Sequence, residues 1–199
     1  VAHQAFETLL NESQSRDFQI SALVDLHEPG YLQEMNQLSA ALQYLYTTAI
    51  PNPAYSRING KPVVYFWDAE FFSISTWEQL RTQYDPNHDA LWLMQGAMPA
   101  YMTAFDGFFI LDIAFANDPA GTFQMFQNQA AQAGADYYLP TVIPGWDTST
   151  FAGWNSFATP SVPRDNGTTL FNNWSAAAAY AQQNVLVINS WNGYFENSH

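Results

Sequence analysis

The chain of 199 residues carries 18 acidic against 5 basic side chains, a net charge of −13, and no cysteine. No basic patch can form on such a chain, which excludes a nucleic-acid or anionic-membrane partner and favours neutral substrates; disulfides and thiolate metal sites are excluded too. Apolar residues make up 48%, enough for a sizeable core, yet no run reaches the roughly 18 apolar residues of a membrane span.

In chain order, residues 2–10 read as a helix, followed by a near-continuous apolar run at 18–26. Met35, Leu38, Leu42, Leu45 and Ala49 step by three and four, the period of a helix face. A second apolar run covers 62–67, and Ser75-Thr76-Trp77-Glu78 has the capping-box form of a helix start. Runs at 90–94 and 105–111 follow. Phe123, Phe126, Ala130 and Ala133 form the next stripe, opened by Asp118-Pro119 and closed by Gly134. A run at 137–143, a stripe of Leu170, Trp174, Ala177 and Ala181, and a run at 184–189 complete the pattern. The stripe residues are expected to be core.

Unbroken apolar runs are strands buried on both faces, as in parallel sheets covered by helices, so the alternation predicts an α/β fold. The choice lies between an open doubly wound sheet and a (β/α)8 TIM-type barrel. Neither G-x-G-x-x-G nor G-x-x-x-x-G-K follows any run, so the usual sign of a nucleotide-binding sheet is missing and no cofactor is expected. The six runs, entered from a helix and left at a strand tip, fit a single incomplete barrel domain over residues 1–199. That barrel lacks about two N-terminal strands and the last helix, and two unpaired edges would leave the piece prone to aggregate. The first residue is valine, which fits a processed or trimmed start.

The polar residues concentrate where runs end. Asp25-Leu26-His27-Glu28-Pro29-Gly30 follows the first run, Asp68-Ala69-Glu70 the second and Gln95-Gly96 the third. Asp112 follows the fourth, Pro144-Gly145-Trp146-Asp147 the fifth, and Ser190-Trp191-Asn192-Gly193-Tyr194-Phe195-Glu196 the sixth. In a barrel these C-terminal strand ends share one face, the face that carries active sites. Acids among aromatic rings suit glycoside cleavage, in which one carboxylic acid protonates the leaving oxygen and a second carboxylate serves as base or nucleophile. Trp and Tyr present flat apolar faces to sugars, and the aromatic share is high at 17%. Position alone puts Glu28, Glu70 and Glu196 first, with Asp68, Asp112 and Asp147 behind.

Each has a plainer reading. Asp68, Asp112 or Asp147 can cap a helix or tie down a loop. Glu70 can be a solvated loop charge, His27 a structural histidine, and Trp191 a plug in the barrel mouth. Asn11-Glu12-Ser13, Asn166-Gly167-Thr168 and Asn173-Trp174-Ser175 match the glycosylation acceptor pattern, as chance allows in an Asn-rich chain. A metal-dependent hydrolase using Asp25, His27, Glu28, Asp112 and Glu196 is the alternative chemistry, without the H-x-H or H-E-x-x-H spacing of known zinc sites.

Taken in order, these pieces resemble glycoside hydrolase family 99 and its family-71/99-like relatives. Leu26-His27-Glu28-Pro29 stands where the family has a His-Ile-Glu-Pro-type strand end, with the histidine shifted by one. Residues 52–68, NPAYSRINGKPVVYFWD, match the family's hPaYxRxxGKPxxYxYD stretch. Phe105-Asp106-Gly107-Phe108 matches its fDGf strand, Pro144-Gly145-Trp146-Asp147-Thr148 its PGyDD turn, and Arg164-Asp165-Asn166-Gly167 its R-x-NG element. Residues 190–198, SWNGYFENS, match the signature SWNEYFEGT. The resemblance implies a (β/α)8 barrel cleaving α-linked polysaccharides, of the α-mannan or α-glucan class, without a cofactor. It puts the general acid/base on Glu196 and a second catalytic carboxylate on Glu28. It puts substrate contacts on His27, Asp68, Trp146, Asp147, Arg164, Asn166, Trp191, Asn192 and Tyr194, and an extracellular or periplasmic location fits the composition. One departure matters: the family's first signature glutamate assists attack by the sugar 2-hydroxyl, and here that position is Gly193. Either another carboxylate such as Glu28 works with Glu196, or the cleft binds glycans without cleaving them.

Overall fold

The computed structural model describes residues 2–27, 30–111, 113–149, 161–181, 184–190, 192 and 193. They form two compact units, Val1–Gln95 with Ala100–Gly107 and Gly96–Pro99 with Phe108–His199. Among the described residues no helix is long and apolar enough to cross a membrane.

In the first unit, strand β1 (Ala22–Asp25) pairs in parallel with β3 (Lys61–Trp67), in the register Ala22↔Val64 to Asp25↔Trp67. β3 pairs in parallel with β4 (Leu91–Gln95), from Val63↔Leu91 to Phe66↔Met94. A short strand β2 (Arg57–Ile58) folds back antiparallel onto β3. Asn59 and Gly60 turn that hairpin with φ of 51° and 83°, the left-handed pair a tight two-residue hairpin needs. Helices α1 (Ala2–Ser15), α2 (Met35–Tyr44) and α3 (Ile74–Tyr84) complete the unit.

Side chains alternate across a strand, and one face of these strands explains the aromatic excess. Phe66 and Trp92 lie on it and meet Trp77 of α3 at ring separations of 5.2 and 6.1 Å, with Phe105 5.1 Å from Trp77. All four rings are buried, edge-on or tilted, the arrangement their quadrupoles favour. The indole N–H of Trp77 donates to Ala69 O at 2.7 Å and that of Trp92 to the Tyr46 hydroxyl at 2.9 Å. The Leu38, Leu42, Leu45 and Ala49 stripe is buried as expected, but its helix changes pitch: residues Leu45–Ala49 form a π-turn, with Ile50 N bonded to Leu45 O. Met35, at the outer end of the stripe, is exposed.

The helix start sits two residues early. Ser73, not Ser75, is the N-cap of α3, and its hydroxyl accepts from Thr76 N. Ser73 has the extended backbone a cap requires, whereas Ser75 already lies inside the first turn.

In the second unit, β5 (Gly107–Phe109) lies beside β6 (Tyr137–Leu139), with Phe108 and Tyr138 rings 5.3 Å apart. β7 (Thr141–Val142) pairs in parallel with β10 (Val187–Ile188). β8 (Trp146–Asp147) and β9 (Ser161–Val162) form a short antiparallel pair. Helix α4 (Pro119–Ala133) has the predicted ends: Asp118 accepts from Gly121 N at 3.1 Å, and Gly134 leaves with φ 71°. Helix α5 (Thr168–Ala178) buries Ala177 and Asn173 into a core of Ile113, Phe123, Val142, Ile143 and Trp146. Trp174 of the expected core stripe is 45% exposed, because Asn173 takes the inward position and donates to Ile143 O at 3.4 Å. That bond also removes Asn173 from the possible glycosylation sites.

Each of the six apolar runs contains a strand, and the run at 137–143 divides into two, β6 and β7, that pair with different neighbours. β2, β8 and β9, two residues each, were not expected; such pairs are too short to leave a periodic pattern.

Candidate active site

The site is built from strand ends. β1, β3 and β4 are parallel, so Asp25, Trp67 and Gln95 end them on one side. The face packed on α3 carries Val64, Phe66 and Trp92. By alternation the other face carries Leu23, Asp25, Tyr65 and Trp67, none of them fully buried. Burial raises the Tyr65 hydroxyl above its ordinary pKa, so it stays protonated and able to donate.

His27 and Asp68 come together here from strand ends 41 residues apart, with Nδ1 2.6 Å from Asp68 Oδ2. The histidine side chain is 70% exposed and the carboxylate 33%. Asp68 has φ 53° and ψ 41°, a left-handed conformation that a residue with a Cβ adopts at a cost, and such strain gathers at functional sites. It precedes the turn Ala69–Phe71 but makes no side-chain cap bond; its carboxylate goes to the histidine instead. Asp25 Oδ1 accepts from His27 N at 2.8 Å, turning the chain just after β1. Glu70 is exposed on that turn, as a loop charge would be.

In the second unit, Asp147 ends β8 and ties down its own loop: Oδ1 accepts from Ser149 N at 2.9 Å. That backbone bond, with a further one from the Ser149 side chain, holds the Asp147 carboxyl below the usual aspartate value. Trp146 is 4% exposed and packs against Ile113, Phe123 and Ala177; its ring forms core and offers no face for stacking. The inward side of β8 falls on residue 146. Gly145 is glycine for space. A Cβ there would lie 2.7 Å from Arg164 Cγ and 3.0 Å from Val162 O. Arg164 is half-buried and Asn166 exposed, with φ 53°, at the turn that opens α5. Asn192 is exposed after β10, and Asn189 holds that exit by donating from N to Val142 O and from Nδ2 to Leu111 O. Glu28, Asp112, Trp191, Tyr194 and Glu196 lie outside the described residues, so of the residues named for a metal only Asp25 and His27 are seen.

Asp106 has a different part from the strand-end acids. It precedes β5, at the opposite strand ends, where its carboxylate accepts from Arg81 Nη2 at 2.8 Å and from Trp92 N at 2.8 Å. Arg81 and Asp106 are both buried, the guanidinium lies 4.7 Å from the Trp92 ring centre, and His88 Nδ1 is 3.0 Å from Asp106 Oδ1. In barrels that end serves stability, not chemistry.

The family model for glycosyl hydrolase family 99 matches residues 1–199. The chain belongs to glycosyl hydrolase family 99. The endo-α-mannosidase of this family from Bacteroides thetaiotaomicron, in complex with bis-tris-propane, matches with a TM-score of 0.79 at 22% identity, over 98% of this chain and 63% of that one. A second structure of the same enzyme gives 0.80 at 21% identity, over 98% and 60%. A glycoside hydrolase-like protein matches with 0.66 at 14% identity, over 82% and 53%. No curated protein matches. At these identities the likeness shows the fold: this family-99 chain is an α/β barrel in part, spanning less than two thirds of the solved relatives' length.

Proposed function

We propose that residues 1–199 belong to one barrel domain of a glycoside hydrolase that cleaves α-mannosyl glycans, within the chain rather than at its ends. The observation that carries this reading is the family match along the whole chain; the family-99 endo-α-mannosidase neighbours support the linkage. Glu196 protonates the oxygen of the leaving sugar as its bond to the anomeric carbon breaks. Glu28, next to His27 in the sequence, is the second carboxylate, and water completes the hydrolysis. His27 and Asp68, with Asp147, Arg164, Asn166 and Asn192, bond sugar hydroxyls, while Trp191 and Tyr194 supply apolar faces. An acidic chain of this composition suits an extracellular or periplasmic setting.

Gly193 favours a second reading, a glycan-binding relative with impaired catalysis, because the 2-hydroxyl route loses its carboxylate. The two are separated by incubating the full-length protein with α-mannans and α-glucans and following oligosaccharide masses. A hydrolase releases products that fall by about 1,000-fold or more in Glu196→Gln. Silence from the natural protein with activity in Gly193→Glu establishes the binder, and silence from both overturns the family-based reading of the substrate.

A further inference from the structure

Gln33 lies between β1 and α2, outside every motif, and its carboxamide makes two bonds. Its Nε2 donates to Leu26 O at 2.9 Å, and its Oε1 accepts from Gly30 N at 3.2 Å. Leu26 and Gly30 are the residues on either side of the His27-Glu28-Pro29 segment. Gly30, at φ 77°, turns the chain out of that segment. One side chain therefore bonds the backbone on both flanks of residues 27–29. Two more bonds brace the near flank, Asp25 Oδ1 to His27 N and Asp68 to the His27 ring.

From this geometry we propose that Gln33 is a positioning residue of the active site, a staple that ties Leu26 to Gly30 and so fixes the strand exit at which His27 stands. The inference rests on the catalytic reading of Glu28 given above. An amide suits the task because it donates and accepts at once, whereas a carboxylate accepts only. A reacting group displaced by about 1 Å costs on the order of 100-fold in rate while ground-state binding changes less.

The test uses the full-length protein with Gln33→Ala and Gln33→Glu. Hydrogen exchange over residues 26–33 reads the staple without any substrate. Gln33→Ala is expected to speed exchange in this segment by about tenfold or more while the β3 and β4 segments keep their rates; unchanged exchange overturns the staple. In turnover, kcat is expected to fall by about 10- to 100-fold in Gln33→Ala with KM within about threefold. In Gln33→Glu the introduced carboxyl donates to Leu26 O only when protonated. Its activity relative to the natural protein is therefore expected to recover as pH falls through about 4–5. Faster exchange with unchanged kcat overturns the positioning role, and so does a Gln33→Glu deficit that is flat with pH. If the natural protein hydrolyses nothing, the catalytic reading and the positioning role fail together, while the exchange result still decides the staple.

Discussion

Asp68 has two separable properties, a left-handed backbone and a carboxylate that holds His27, and three substitutions take them apart. Asn tolerates the left-handed region nearly as well as Asp, Ala does not, and Gly has no Cβ to strain. Asp68→Ala is therefore expected to lose about 1 kcal/mol more than Asp68→Asn. Asp68→Gly relieves that strain but frees the unfolded chain by about 0.5–1 kcal/mol, so it should fall between Asn and Ala. The His27–Asp68 contact adds little to stability: with the histidine side chain 70% exposed, solvent screening leaves it about 0.5 kcal/mol. Activity should order differently. Ala and Gly lose the acceptor for the imidazole and Asn keeps only a neutral one, so kcat/KM is expected to drop by about tenfold in each, whatever the stability. Urea unfolding gives the first ranking and oligosaccharide hydrolysis the second. If Ala is as stable as Asn, the strain argument is wrong. If Asn retains full activity, the carboxylate is not what makes Asp68 matter.

Two further predictions concern acids with other tasks. Asp106→Ala leaves the buried Arg81 guanidinium without its closest carboxylate and strips the acceptor from Trp92 N, so it should cost about 3–5 kcal/mol in urea unfolding; a cost below about 1 kcal/mol would show that Asp85, 3.4 Å away, suffices. Asp147 should titrate below 3.8 by carboxyl NMR, and Ser149→Ala, which removes the smaller hydroxyl contribution, should move it part of the way back. A depressed folded value means that its stabilising contribution is present above the ordinary aspartate pKa and fades as pH falls through the folded one; a value at or above 3.8 contradicts the loop bonds.

Where the chain would be strand and where helix was legible because those signals are local. Leu38, Leu42 and Leu45 declare a helix face by spacing, and Asp118-Pro119 with Gly134 declares both ends of α4, since cap and left-handed exit depend on residues one turn apart. Strand ends rich in acid were legible for the same reason, and so were Asp68 and His27 as candidates. What each polar residue does there was not. Asp68, Asp106 and Asp147 all flank strands in the sequence, yet one grips a histidine 41 residues away, one a buried arginine 25 residues away, and one its own loop two residues on. Trp67 and Trp146 look alike as strand-end aromatics, and only packing makes the second a core residue. Gln33 carries no signal at all until Leu26 O and Gly30 N converge on it. Periodicity and capping are set by neighbours a turn away, so the amino-acid order contains them. The partner of a charge or an amide is set by which distant strand end arrives beside it, and that the folded chain alone decides.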